Sequence, residues 1–180
     1  MDLLDIQRTA GFKNVGGTYE EFYIADVEDV ATWPTKLASP VTPSDRITLT
    51  GAFVMKSTKK FVAIKSELGY SEIKWEALGP RGGKGFKHTL ETFAPENSAN
   101  NLGVLSLYAD RKVVLIGKDR TGILRVVGSE LLPAVLESAT GTTGKKMEDD
   151  PGAGNTIIFS TEDNDPPAIY TGEIPLTPAT

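Results

Sequence analysis

The chain has no cysteine and a single histidine, His88, among 180 residues. Disulfide scaffolds, thiolate nucleophiles and cysteine-ligated metals are thereby excluded, and a metal site or general base at His88 would need carboxylates alone around it. No apolar run approaches the roughly 20 residues that a membrane-spanning helix needs. The opening MDLLDIQRTAGF lacks a basic stretch followed by an apolar core, so nothing there reads as a secretory signal. The zero-cysteine composition suits a reducing cytosol. What is present is ordinary for one soluble domain: 39% hydrophobic residues, 24% charged residues and a length that can bury a core without staples. One β-rich domain over 1–180 is the expectation.

Charge is distributed unevenly behind a net value of -5. Residues 1–44 carry 3 basic and 7 acidic groups, residues 45–88 carry 9 and 4, residues 89–125 carry 5 and 4, and residues 126–180 carry 2 and 9. An acidic beginning and end flank a basic middle, a distribution that suits solvated faces and also suits opposite faces meeting between copies.

Eighteen glycines and 11 prolines punctuate the chain throughout, which divides it into short segments of the kind an all-β domain uses. Strands are expected at 18–25 (TYEEFYIA), 46–55 (RITLTGAFVM), 61–66 (FVAIKS), 70–78 (YSEIKWEAL) and 86–93 (FKHTLETF). Ile47, Leu49, Gly51 and Phe53 alternate with Thr48, Thr50 and Ala52, and Ile73 and Trp75 alternate with Glu72, Lys74 and Glu76, the period of a half-buried strand. These successive segments suggest an antiparallel meander. One short helix is expected between Ser98 and Asp110, where Leu102, Leu105 and Tyr108 fall three apart behind a capping Asn97 or Ser98. The strongest local signal is RKVVLIGK and ILRVVG joined by Asp119-Arg120-Thr121-Gly122, a β-hairpin with glycine in the left-handed position. Strands at 132–139, 156–161 and 168–171 complete the sheet. The fold class is mainly β, an antiparallel sandwich or barrel-like domain with one packed helix and long loops. Residues 1–17 read as an N-terminal arm, the proline-rich 31–45 as a loop or arm, and the glycine-rich 141–155 as a mobile loop.

No constellation carries catalysis. His88 is read as a strand-surface histidine. The loop GPRGGKG (79–85) lacks phosphate-loop spacing and is read as a turn. The acidic run Glu162-Asp163-Asn164-Asp165 lacks the glycine and terminal glutamate of a calcium loop and is read as a solvated turn, and Glu148-Asp149-Asp150 fares no better. Cofactors and metals are therefore not expected. The basic middle interleaves Lys59, Lys60, Lys65, Lys74, Arg81, Lys84 and Lys87 with Phe61, Tyr70, Trp75 and Phe86, a mixture that would suit single-stranded nucleic acid if the rings were exposed. A shallow carbohydrate groove around Trp33 or Trp75 is a further alternative.

Three stretches, RKVVLIGKDRTGILRVVGSE, LLPAVLESATGTTGKK and DDPGAGNTIIFSTEDNDPPAIYTGEI, with FKHTLETFAPENSANNLGVLSLYADRK before them, resemble tail-tube-like and neck-ring structural proteins of tailed bacteriophages of the Bacteroidetes type. Asp119, Gly122, Gly128, Thr143, Gly144, Asp149, Gly152, Phe159, Ser160, Pro167, Tyr170 and Gly172 carry the likeness, which covers the C-terminal half. The resemblance implies a non-enzymatic virion subunit, a β-sandwich with one helix, self-assembling into rings or a tube through which double-stranded DNA passes without sequence-specific binding. It implies other tail or neck proteins as partners, no membrane, and assembly in the bacterial host cytoplasm. A connector ring or tail terminator is the alternative within that class. Trp33, Pro34, Lys145, Lys146, Glu148, Asp149 and Asp150 are the expected subunit-interface residues, and the acidic C-terminal portion is expected to face the lumen.

Overall fold

The computed structural model describes residues 5, 6, 10, 11, 15–148 and 150–178. In chain order the strands are β1 (Thr18–Asp26), β2 (Val30–Thr32), β3 (Thr35–Lys36), β4 (Thr48–Thr50), β5 (Val54–Met55), β6 (Val62–Lys65), β7 (Glu72–Leu78) and β8 (Gly85–Pro95). An α-helix, α1 (Ala99–Tyr108), the one α-helix among the described residues, follows, then β9 (Val113–Asp119), β10 (Leu124–Val127), β11 (Val135–Thr142), β12 (Gly154–Asp163) and β13 (Ala168–Tyr170).

The run Val113-Val114-Leu115-Ile116 shows no polar alternation because β9 lies inside a sheet that is covered on both faces. That sheet has seven strands in the order β3-β4-β13-β10-β9-β1-β6. One face of it packs on a four-stranded sheet, β11-β12-β8-β7, to make a sandwich. Phe22, Ile24, Ile64, Val113, Leu115 and Val127 from the larger sheet meet Leu90, Ile157 and Phe159 from the smaller one. The helix closes this layer with Leu105 and Tyr108, whose ring stands edge-on to Phe159 at 5.9 Å. Ser98 caps it, its hydroxyl accepting from the Asn101 amide at 3.3 Å. Leu102, expected on the same face, points to solvent instead.

The opposite face of the large sheet is covered by the segment between β2 and β6. Ala25, Val114, Ile116, Val126 and Tyr170 there meet Val30, Leu49, Phe53, Met55 and Phe61 in a second core. The proline-rich region is thus partly structural. β2 pairs with β5 in a two-stranded ribbon, β3 pairs with β4, Pro34 is buried, and the half-buried Trp33 packs edge-on against Phe53 at 5.4 Å. Lys36 ties the region to the far end of the chain through an ion pair with Asp165 at 2.8 Å. Of the expected arm at 1–17, most residues lie outside those the structure describes.

The meander expected over 46–78 does not form. The segment 46–55 breaks at Gly51, whose φ of +88° turns the chain, so β4 and β5 enter different sheets. β4 runs parallel to β13, the parallel exception among otherwise antiparallel pairs. β6 pairs with β1, and β7 pairs with β8 in the other sheet. By contrast the β9–β10 hairpin forms as its turn chemistry demands. The Gly122 amide donates to the Asp119 carbonyl at 2.9 Å with φ at +93°, and the Asp119 amide donates to the Ile123 carbonyl at 2.9 Å. The Asp119 carboxylate accepts from the amides of Thr121 and Ile123 and pairs with Arg125 at 3.0 Å. Burial works to raise its pKa, but the Thr121 hydroxyl, the Ile123 amide and Arg125 together hold it below the ordinary aspartate value.

Candidate assembly surfaces

The four-stranded sheet presents its other face to solvent, and the register defines what that face carries. His88, Leu90 and Thr92 of β8 point into the sandwich, so Lys87, Thr89 and Glu91 point out. Cross-strand pairing sets Glu72 opposite Glu91, Lys74 opposite Thr89 and Glu76 opposite Lys87 on one side. On the other side it sets Ile158, Ser160 and Glu162 opposite Glu91, Thr89 and Lys87. Glu137 of β11 joins them, accepting from Lys87 at 2.6 Å. The hydrogen bond from Lys87, with a second from Ser160, lowers the Glu137 pKa, and the same bond raises that of Lys87. Glu72, Glu76, Glu91, Glu137 and Glu162 against Lys74 and Lys87 make a hydroxyl-lined, net acidic surface.

Among the described residues this sheet also ends in two edges with no strand beyond them. β7 bonds on one side only, to β8, and β11 on one side only, to β12. They are seven and eight residues long, and β11 (VLESATGT) contains neither proline nor lysine, the residues that usually guard a free edge.

At one end of the sheet β11 and β12 continue into the connection 143–153. Gly141, Thr142, Gly154 and Asn155, read from sequence as parts of a mobile loop, are paired in the hairpin. Asn97 fastens this end, donating to the Thr142 carbonyl at 2.7 Å and accepting from Asn155 at 2.8 Å, and Tyr70 hydrogen-bonds to the Asp150 carboxylate. Lys145, Lys146 and Glu148 project from the tip, with Lys146 and Glu148 3.5 Å apart. Asp149 lies outside the described residues. The interface residues inferred from sequence therefore divide: Trp33 packs against the second core and Pro34 is buried, whereas Lys145, Lys146, Glu148 and Asp150 are exposed on one loop.

His88, expected on a strand surface, is only 2% exposed. Its Nε2 lies 2.7 Å from the Asp165 carbonyl, an oxygen that can only accept, so Nε2 carries the proton. Burial pushes its pKa down, as does Lys36, while the Asp165 carbonyl and Asp163 push it up; the balance is a pKa below the ordinary 6.5. The unfolded chain then takes up a proton before the folded one does, so stability is full above pH 6.5 and falls as the pH drops below it. The urea midpoint is expected to decrease between pH 7.5 and 5.5, and His88→Gln should flatten that dependence; a midpoint that rises on acidification contradicts it.

The GPRGGKG loop closes the β7–β8 hairpin, with Gly79 and Gly82 at positive φ and the Gly83 amide donating to the Pro80 carbonyl at 3.2 Å. Among the described residues no three histidine, aspartate or glutamate side chains converge as metal ligands, and no helix is long and apolar enough to cross a membrane. Of the rings that nucleic-acid stacking would need, Trp75 stays 43% exposed and Phe86 is half-buried. Phe61 is in the core, Tyr70 packs against Phe93, and Arg125 lies over the Trp75 ring at 5.0 Å from its centroid. Compared with protein-family models, with curated proteins and with solved structures, the chain matches none.

Proposed function

We propose that the chain is a non-enzymatic structural subunit of a tailed-phage virion that closes into rings of the tail tube. The observation that carries this reading is the pair of long edge strands, β7 and β11, on opposite sides of one four-stranded sheet, of which β11 lacks both proline and lysine. The edge of one copy can hydrogen-bond to the opposite edge of the next, a head-to-tail contact that generates a ring when the rotation closes. Such a ring would present the outer face of the small sheet as a continuous surface. Facing the lumen, its glutamates and hydroxyls would repel a phosphate backbone and let double-stranded DNA slide, where a basic lining would hold it with strong salt dependence. The resemblance of the C-terminal half to tail-tube and neck-ring proteins supports the same reading. On this reading the chain belongs to the virion and is assembled in the host cytoplasm beside other tail or neck proteins.

Negative-stain electron microscopy of the purified protein over a concentration series tests it. Hollow tubes or stacked rings are the expected result. Single closed rings that never stack would favour the connector or terminator role within the same class, and monomers at every concentration, also after addition of other tail proteins, would overturn the ring reading.

A further inference from the structure

A surface helix ordinarily sets charged residues opposite its buried stripe, and α1 does not. No charged residue occurs from Asn97 to Ala109, and α1 buries none of its residues fully. Leu105 and Tyr108 lean on the core beside Leu136, whereas Leu102, Gly103, Ser106 and Leu107 stand exposed as one strip of two leucines and two small residues. An apolar strip of this kind on an ordered helix marks a contact.

The place of the helix selects the partner. α1 packs along β11 on the side of the core, from Asn97, which donates to the Thr142 carbonyl at 2.7 Å, to Tyr108, whose ring meets Phe159 opposite Leu136. At the other edge of the small sheet the chain steps across from β6 of the large sheet to β7. The Ser66 amide donates to the Glu20 carbonyl at 2.7 Å, the Glu67 amide to the Phe93 carbonyl at 3.1 Å and the Tyr70 amide to the Glu67 carbonyl at 3.4 Å, with Gly69 at φ of +94°. This turn also lies on the core side of its edge strand, and it holds Leu68 exposed.

Register sets the two features at one height. Ser138, Ile158, Glu91 and Glu72 form one row across the four strands. Two residues further along, Thr140, Thr156 and Phe93 form another, which the Glu67 amide extends. The four strands alternate in direction, so β11 of one copy meets β7 of the next antiparallel, like every other pair in this sheet. With the rows in line, Ser138 and Thr140 come opposite Glu72 and Glu67, and the helix behind β11 comes opposite the turn behind β7.

We infer that the strip Leu102, Gly103, Ser106 and Leu107 of α1 is covered by the 66–71 turn of the next copy, with Leu68 set against the two leucines. The inference rests on the ring reading, in which β11 of one copy pairs with β7 of the next, and it supplies the second layer of that contact. A helix without charge sets no carboxylate against Glu67, so nothing repels the turn.

The absence of cysteine allows a direct test. Leu68→Cys and Leu102→Cys single variants, each with wild-type melting behaviour, are oxidised alone and as a mixture, and Leu107→Cys serves as a second helix probe. A disulfide needs Cα atoms within about 7 Å, so a crosslink reports the contact itself. Dimer several-fold above that of either single variant is expected in the mixture, and a ladder of higher oligomers from the Leu68→Cys/Leu102→Cys double variant. Helix-to-helix dimers from the Leu102→Cys or Leu107→Cys variant alone, or no excess dimer in the mixture with either probe, would overturn the inference. Rings in the microscope without crosslinks remove this contact and leave the ring reading standing; a ladder without rings does the reverse.

Discussion

Phe53→Ala is expected to destabilise the domain by about 3–5 kcal/mol, the usual cost of emptying a buried aromatic site. Phe53 is 4% exposed and stands at the centre of the second core, edge-on to Trp33, Phe61 and Tyr170 at centroid distances of 5.4, 5.3 and 5.1 Å. Each such pair adds to the area term. The Phe53 amide also donates to the Tyr170 hydroxyl at 3.2 Å, which donates onward to the Glu173 carbonyl at 2.8 Å, so the ring sits on a fixed backbone. For a domain of this length the loss corresponds to a melting temperature roughly 6–20 °C lower. Guanidinium unfolding followed by tryptophan fluorescence checks it, since Trp33 reports from the cluster itself. A loss below about 1 kcal/mol would show that the segment from β2 to β6 is a detachable flap and not half of the structure.

Gly128→Ala is expected to cost about 2–4 kcal/mol, and Gly122→Ala, at nearly the same backbone angle, only about 1. Gly128 has φ of +94° and Gly122 +93°, so the conformational penalty of a side chain is shared. Their surroundings differ. A Cβ on Gly128 would lie 2.8 Å from both the Ala134 nitrogen and the Val113 oxygen, which are backbone atoms bonded to each other in a reciprocal bridge at 2.8 Å. Neither can withdraw without opening that bridge. A Cβ on Gly122 would meet nothing nearer than the flexible end of Lys118, at 4.0 Å. Calorimetry gives the two losses, and amide exchange at Val113 and Ala134 should accelerate in Gly128→Ala alone. Equal losses for the two variants would refute the close-approach argument. The bridge also fixes where the chain leaves β10, and hence the turn that presents Leu131.

The β9–β10 hairpin was legible because everything that specifies it lies within a few residues. Asp119 and Gly122 encode the turn, and the flanking apolar runs can only be strands. The Ser98 cap and the helix it starts were legible for the same reason. The segment 31–55 was not. Its prolines and glycine mark breaks, but which side of the sheet the pieces cover depends on the pairing of β4 with β13, residues about 120 apart in the chain. Three prolines suggested a free arm, yet proline only removes an amide from the ladder. It does not prevent Pro34 from being buried beside Trp33 in a layer two or three residues long. His88 was misplaced to the surface for a related reason. Strand alternation gives two faces without saying which is inside, and the Asp165 carbonyl that makes burial tolerable comes from a loop 77 residues away.

By itself the sequence determined the class of the fold, the hairpin turns, the helix and the absence of thiol chemistry. Each follows from local backbone preference or from composition, and neither needs a distant partner. The tertiary structure alone decided which strands share a sheet, which edges stay bare, and that glutamates from β7, β8, β11 and β12 line one face. It also decided that Ser138 of β11 shares a row with Glu72 of β7 across the small sheet. Those facts arise from long-range register, in which a shift of one residue exchanges the inward and outward faces of a strand, and period-two alternation is the same before and after the shift.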